Sequence, residues 1–269
     1  MAGIRVLVNR FPRLKALLRR IRRALFPGSS VSSHYQEVPD DQRASEVVRL
    51  RAAWQADELP RRQRELVDAQ LASYRRGNAV DVFDVMVGIL RKLTIGRAQT
   101  SVVEIGCSSG FYSEVFSIAQ LPVQYTGCDY SAAFIDLARK TYPLLPFDIE
   151  DATAMSYVND MFDVAVSGCC LLHIPEYEKA IAETARIARH YAIFHRTPVV
   201  IGRPSKFFRK KAYGIETVEI HFAESEFLEC LQKNGLELLE THTLSEETDL
   251  VDPLCVNAIR TYVCRKLKQ

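Results

Sequence analysis

A change of grammar near residue 100 restricts the fold more than anything else in this chain. From that point short apolar runs alternate with amphipathic stretches of roughly ten to fifteen residues. Strands are expected at 101–105, 124–129, 145–148, 162–167 and 191–195, with Pro146 interrupting the third. Helices are expected between them, near 110–119, 131–140 and 176–189. The last of these opens with Pro175, carries Glu176 and Glu178 in its first turn and ends with Arg186 and Arg189, a polarity that suits the helix dipole. A helix near 224–233, a stop at Gly235 and strands at 236–243 and 258–264 follow. Strands alternating with helices predict an α/β chain with a mostly parallel sheet, covered on both faces in the doubly wound manner.

The first strand runs into Val102-Val103-Glu104-Ile105-Gly106-Cys107-Ser108-Ser109-Gly110-Phe111-Tyr112. A strand enters a glycine-containing turn there and leaves as a helix. In a doubly wound sheet this is where ligands bind, beyond the C-terminal strand edge. Gly106 permits a sharp turn, Gly110 permits close approach of the helix, and Glu104 puts a carboxylate at the lip of the crevice. The same residues also suit an ordinary strand-to-helix turn that binds nothing. Asp129 ends the second strand, 19 residues beyond Gly110, where a carboxylate can accept both hydroxyls of a ribose. Its plain alternative is a helix N-cap, a role that Ser131 can also fill.

A nicotinamide or flavin site calls for G-x-G-x-x-G. Here Ser108 holds the middle position and Phe111 stands where the third glycine belongs, which speaks against a nicotinamide-dependent oxidoreductase. The run instead resembles motif I of the Rossmann-like S-adenosylmethionine-dependent methyltransferases, D/E-x-G-x-G-x-G, departing from it at Ser108. Asp129 then matches that family's motif II acid. Asp151-Ala152, 22 residues further on, matches the pair that reads the adenine amino group. Phe162-Asp163-Val164-Ala165-Val166-Ser167-Gly168-Cys169-Cys170-Leu171-Leu172-His173 resembles motif IV. The resemblance covers about residues 100–200, and the tail 222–264 fits the family's closing helix and antiparallel strand pair.

The resemblance implies a seven-stranded, mostly parallel sheet with an antiparallel last strand, preceded here by N-terminal helices. It implies S-adenosylmethionine as cofactor, held by Glu104, Gly106, Cys107, Ser108, Gly110, Tyr112, Asp129, Tyr130, Asp151, Ala152 and Ser167. It makes the chain a methyltransferase. An activated methyl group needs mainly a positioned acceptor and a dry site, with a general base for a hydroxyl acceptor. His173, His195 and His221 are the base candidates, with His173 foremost; each also reads as a packing or loop histidine. Cys169 and Cys170 read as core or loop residues.

Charge bears on the acceptor. The 35 basic and 33 acidic residues nearly cancel, but they are segregated. Residues 1–28 hold eight basic residues and no acid, and residues 184–215 hold eight more with no acid, which leaves the remaining body acidic by 14 charges. So acidic a body disfavours a DNA or RNA methyltransferase. Lys206, Arg209 and Lys210, interleaved with aromatics after the fifth strand, point to a phosphate- or carboxylate-bearing acceptor, a small molecule or glycan-type group methylated at O or N. Residues 1–28 read as a basic amphipathic helix suited to peripheral membrane contact, to import or to packing on the body. Residues 29–43 read as a linker, 44–98 as a helical extension, and 99–269 as the cofactor-binding domain. The seven cysteines include no zinc-type spacing, which excludes a zinc scaffold and points to a reducing, cytoplasmic setting.

Overall fold

The computed structural model describes residues 32–249, 252 and 254–267. The basic helix expected over residues 1–28 lies outside the described residues. The chain opens with β1 (Ser32–Glu37), then α1 (Arg43–Ala52), a 3-10 turn at Ala53–Gln55, α2 (Leu59–Arg75) and α3 (Asp81–Leu93). α3 forms because its apolar positions share one face: Phe83, Met86, Val87, Ile89 and Leu90 are all buried. Asp81 and Asp84 sit in its first turn and Arg91 and Lys92 in its last, each favourable to the helix dipole.

The alternating region follows as β2 (Thr100–Ile105), α4 (Phe111–Ile118), β3 (Val123–Asp129), α5 (Ala132–Thr141) and β4 (Phe147–Ile149). Next come β5 (Phe162–Gly168), α6 (Tyr177–Ile187) and β6 (Ala188–Ile201). The remainder is β7 (Lys206–Ala212), β8 (Ile215–Ala223), α7 (Glu224–Lys233), β9 (Leu236–Thr248) and β10 (Val256–Lys266).

Seven strands lie in the order β4-β3-β2-β5-β6-β10-β9. Pairing is parallel from β4 through β6, and β10 is antiparallel to both β6 and β9. Val102, Val103 and Val164 are fully buried because helices cover both faces of the parallel part. The chain order reverses between β2 and β5, so the switch-point crevice opens at their C-terminal ends.

Two features depart from the sequence reading. The basic insert after β6, for which no strands were expected, forms the hairpin β7–β8, turned through Tyr213 and Gly214 at φ 51° and 85°. Positive φ at both central residues is the two-residue turn that matches strand twist. The segment expected as a linker contains β1, which pairs antiparallel with β7. The end of β6 pairs with β8 through Val199 and Val200, so the three added strands extend the sheet to ten. Basic side chains masked the hairpin because the partners of Lys206 and Arg209, Glu37 and Glu46, lie far away in the sequence, and Lys210 meets Glu219 only once the hairpin has formed.

Candidate functional site

Beyond the C-terminal ends of β2, β3 and β5 the described residues enclose a cavity of about 520 Å³. One wall is the β2–α4 turn with Gly106 and Ser108, then Asp129 and Tyr130 after β3, and Asp151 and Ala152 after β4. Ser108 stands at φ 49°, in the left-handed region that a glycine would occupy without strain. That conformation lets its N–H donate to Asp129 Oδ2 at 3.0 Å, while Ser131 N–H donates to Oδ1 at 3.0 Å. The carboxylate is thereby fixed in orientation, with lone pairs still available toward the cavity. Burial pushes its pKa up to about 6, against the pull of the backbone N–H donors of Ser131 and Ser108.

Asp151 is held differently. Thr153 donates twice to Oδ1, and Arg51 on α1 donates to Oδ2 at 2.5 Å. Tyr130 donates its hydroxyl proton to the Arg51 carbonyl at 2.6 Å. The N-terminal helices therefore roof the crevice through Arg51, and Trp54, Gln63 and Leu66 extend that roof.

The opposite wall is aromatic. Trp54 and His173 lie 4.5 Å apart between ring centroids, and Tyr213 stands 6.3 Å from Trp54. His173 Nδ1 is 2.5 Å from the Val218 carbonyl. A carbonyl only accepts, so Nδ1 carries the proton and Nε2 the lone pair. Burial, with Lys210 nearby, holds the His173 pKa down to about 3, so the ring is neutral at physiological pH.

Several residues that the sequence pointed to lie behind this surface. Glu104 is 2% exposed, and its Oε2 accepts the Tyr125 hydroxyl proton at 2.5 Å. Burial raises its carboxyl to about 8, so it is protonated at neutral pH and packs under Gly168 rather than at the crevice lip. Cys107, Gly110 and Ser167 support the turn from below. Gly110 caps α4 at φ 71°, and Ser167 Oγ contacts Cys170 Sγ at 3.3 Å. Burial pushes the Cys170 thiol up to about 12, which leaves it unreactive. His195 is buried between the Tyr112 hydroxyl at 2.8 Å and Thr261 Oγ1 at 2.9 Å. Tyr112 lines the cavity, so His195 sits behind it and does not face the crevice. His221 contacts Glu219 at 2.9 Å on β8 and lies outside the cavity.

The three substrate candidates divide. Lys206 pairs with Glu37 at 2.7 Å and Arg209 with Glu46 at 3.4 Å, both outside the cavity. Lys210 lines the cavity but is buried against the Glu219 carboxylate. Sequence reasoning passed over Arg51, Trp54, Tyr213, Glu219 and Arg196. Trp54 had a signal, as the sole tryptophan in the chain. Arg196 had none, because a backbone irregularity places it.

Residues 103–194 match the methyltransferase-domain family model. That segment is similar to a methyltransferase domain. The chain is 31% identical over 93 residues to the phthiotriol/phenolphthiotriol dimycocerosates methyltransferase of Mycobacterium leprae, covering 33% of each chain. It is 26% identical over 110 residues to the demethylmenaquinone methyltransferase of Paenarthrobacter aurescens, covering 41% of this chain and 38% of that protein. The matches thus span only a third or so of these curated relatives. The fold is similar to that of the 1,6-didemethyltoxoflavin-N1-methyltransferase of Burkholderia thailandensis, solved with 1,6-didemethyltoxoflavin and S-adenosylhomocysteine. That likeness has a TM-score of 0.52 at 16% identity and covers 87% of this chain and 93% of that one. The matched segment supplies the wall of Gly106, Ser108, Asp129 and Asp151, while the roof and the aromatic wall come mostly from residues outside it.

Proposed function

We propose that the chain is an S-adenosylmethionine-dependent methyltransferase acting on a small molecule with an apolar or aromatic body. The observation that carries this reading is the Asp129 carboxylate, oriented by two backbone N–H groups on the wall of a switch-point cavity. The turn fits a nucleoside cofactor, since a side chain at Gly106 would project onto Cys170 and fill the space beside it. Gly106, Ser108, Asp129, Tyr130, Asp151 and Ala152 are the residues that would hold it. When bound, the cofactor supplies an activated methyl group for in-line displacement.

The chain's own residues supply the rest. Arg51 and Trp54 close the roof and exclude water. His173, anchored on Val218, presents the Nε2 lone pair of a neutral ring, which can accept a hydrogen bond from a hydroxyl or amine acceptor and orient it. A phosphorylated or glycan-type acceptor has less support than the small molecule, because Lys206, Arg209 and Lys210 have carboxylate partners. The two curated relatives are named for lipid and quinone substrates, which agrees with an acceptor of apolar body.

Calorimetry with S-adenosylhomocysteine tests the cofactor assignment. Asp129→Ala is expected to weaken binding by about 1–3 kcal/mol, the worth of a hydrogen bond to a charged group. Absence of heat with the parent chain would sink the assignment. The pH dependence has a definite sign. Only the carboxylate accepts ribose hydroxyls, so affinity is full above about pH 6 and declines as Asp129 is protonated below it. Asp129→Asn is expected to bind more weakly but to flatten this dependence between about pH 5 and pH 8.

The setting of the activity belongs to the same proposal. Among the described residues no helix is long and apolar enough to cross a membrane. The charge of residues 1–28 supports peripheral contact of a cytoplasmic enzyme with an anionic surface. Deleting them is expected to lower binding to anionic liposomes and leave cofactor affinity unchanged. Equal liposome binding by both forms removes the membrane contact.

A further inference from the structure

Lys206, Arg209 and Lys210 have carboxylate partners, but among the described residues one cation on the cavity wall does not. Arg196 lies on β6, one residue past His195. Phe194 faces Tyr262 across the β6–β10 ladder and Thr197 faces Arg260, so two residues of β6 stand against Thr261 alone. This is a β-bulge, a device that bends a strand and re-aims a side chain. Arg196 takes φ 59° there, a left-handed conformation unfavourable for a non-glycine residue. Fully buried Thr261 fixes the bulge: its Oγ1 meets His195 Nδ1 at 2.9 Å and accepts the Arg196 N–H at 3.4 Å.

The bulge brings Arg196 to the cavity surface beside Tyr112 and Tyr213. Charge bookkeeping then separates it from its neighbours. Arg51 is paired with Asp151 and Glu176, and Lys210 with Glu219. Among the described residues the Arg196 guanidinium has neither an ion pair nor a hydrogen-bond acceptor. Cys169, Tyr112 and Tyr213 act on it more strongly than Glu219, which is already engaged by Lys210 and His221. A guanidinium on the cavity wall without a partner of its own leaves its N–H donors open to an arriving anion.

We propose that Arg196 is the anchor for the methyl acceptor, and that the acceptor is an aromatic or apolar molecule bearing a carboxylate. The fork of the guanidinium matches a planar carboxylate through two parallel hydrogen bonds. The single unmatched positive charge suits a monoanion. A phosphate dianion would need a second open cation, and the other cations on this wall are compensated. Trp54, Tyr213 and the neutral His173 ring give the body of such an acceptor an aromatic bed. The inference rests on the methyltransferase reading for the role of the bound molecule, but not for the existence of the anion site.

The test uses the intact chain and its own reporter, because Trp54 is the sole tryptophan and lines the cavity. Benzoate, 4-hydroxybenzoate and indole-3-acetate are titrated by fluorescence quenching or calorimetry against their matched amides, with phenyl phosphate as the dianion. Each titration is run with and without S-adenosylhomocysteine. At least one carboxylate is expected to bind about tenfold tighter than its amide or more. Arg196→Gln is expected to erase that preference while retaining the thermal midpoint and the affinity for S-adenosylhomocysteine. Arg196→Lys, which keeps the charge but not the fork, is expected to retain part of it.

Equal binding of carboxylates and amides, no carboxylate binding at millimolar concentration, or an undiminished preference in Arg196→Gln overturns the proposal. Tighter binding of phenyl phosphate than of every carboxylate overturns the acceptor class. If S-adenosylhomocysteine binds and the carboxylate preference is absent, the anchor alone fails. If the preference is present and S-adenosylhomocysteine does not bind, the methyltransferase reading fails and the anion site stands.

Discussion

Replacing Gly106 with alanine is expected to destabilise the chain by about 3 kcal/mol or more and to abolish binding of S-adenosylhomocysteine. Two effects add. Gly106 sits at φ 71°, where any side chain meets the backbone unfavourably by about 1–2 kcal/mol. A Cβ there would also lie 2.3 Å from Cys170 Cβ and 2.7 Å from its Sγ. Cys170 cannot relieve this by changing rotamer, because its own Cβ is the nearest atom. Its backbone would have to move, and the Sγ contacts with the Ile105 carbonyl at 3.2 Å and with Ser167 hold it in place. Overpacking of that kind typically costs about 1–3 kcal/mol. Thermal or denaturant unfolding reads the loss. Adding Cys170→Gly to Gly106→Ala removes the contact but not the backbone strain, so about half of the stability is expected to return. An unchanged midpoint in Gly106→Ala would show that the turn is not held as described.

The second large effect is expected at Glu219, far from the cofactor wall. Glu219→Ala should lower stability by about 3–5 kcal/mol, because it leaves the Lys210 ammonium buried without its carboxylate. Both residues are almost fully buried, at 6% and 7% exposure, and the same carboxylate also takes His221 Nε2 at 2.9 Å and the Tyr35 hydroxyl at 3.4 Å. The contrast is the double replacement Lys210→Met with Glu219→Leu. It removes both charges at similar volume and is expected to recover most of the loss, since a buried pair adds little over well-packed apolar groups. If Glu219→Ala alone unfolds at the parent midpoint, the pair has no structural role. The pH dependence agrees in sign. His221 and Lys210 hold the Glu219 carboxyl down to about 2 against the opposing effect of burial. Its contribution is complete above the ordinary carboxyl range near 4.5 and is lost as pH falls toward 2.

That Gly106, Ser108 and Asp129 share one crevice could be read directly from the chain, because these residues are close in sequence and their spacing is set by adjacent strands and one turn. Gly106, Ser108 and Asp129 come together for that local reason: β2 and β3 are adjacent parallel strands, and their C-terminal ends meet at Ile105 and Cys128. The acceptor wall was another matter. Trp54 reaches His173 from a 3-10 turn far away in the chain, and Lys210 meets Glu219 across a hairpin whose charges pointed to an acceptor rather than to an internal partner. His195 was legible as the end of a strand but not as a residue turned away from the crevice, because the bulge opposite Thr261 depends on β10, which arrives more than sixty residues later. The same bulge carried Arg196 to the cavity.

The sequence by itself determined the α/β alternation, the glycine turn at Gly106 and the acid at Asp129. Hydrophobic period and turn chemistry act over a few residues and leave little freedom there. Tertiary structure alone decided which cations are compensated and which histidine meets the cavity. Ion pairing and burial depend on what lies across the fold, and strand pairing at a distance, not spacing along the chain, brings those groups together.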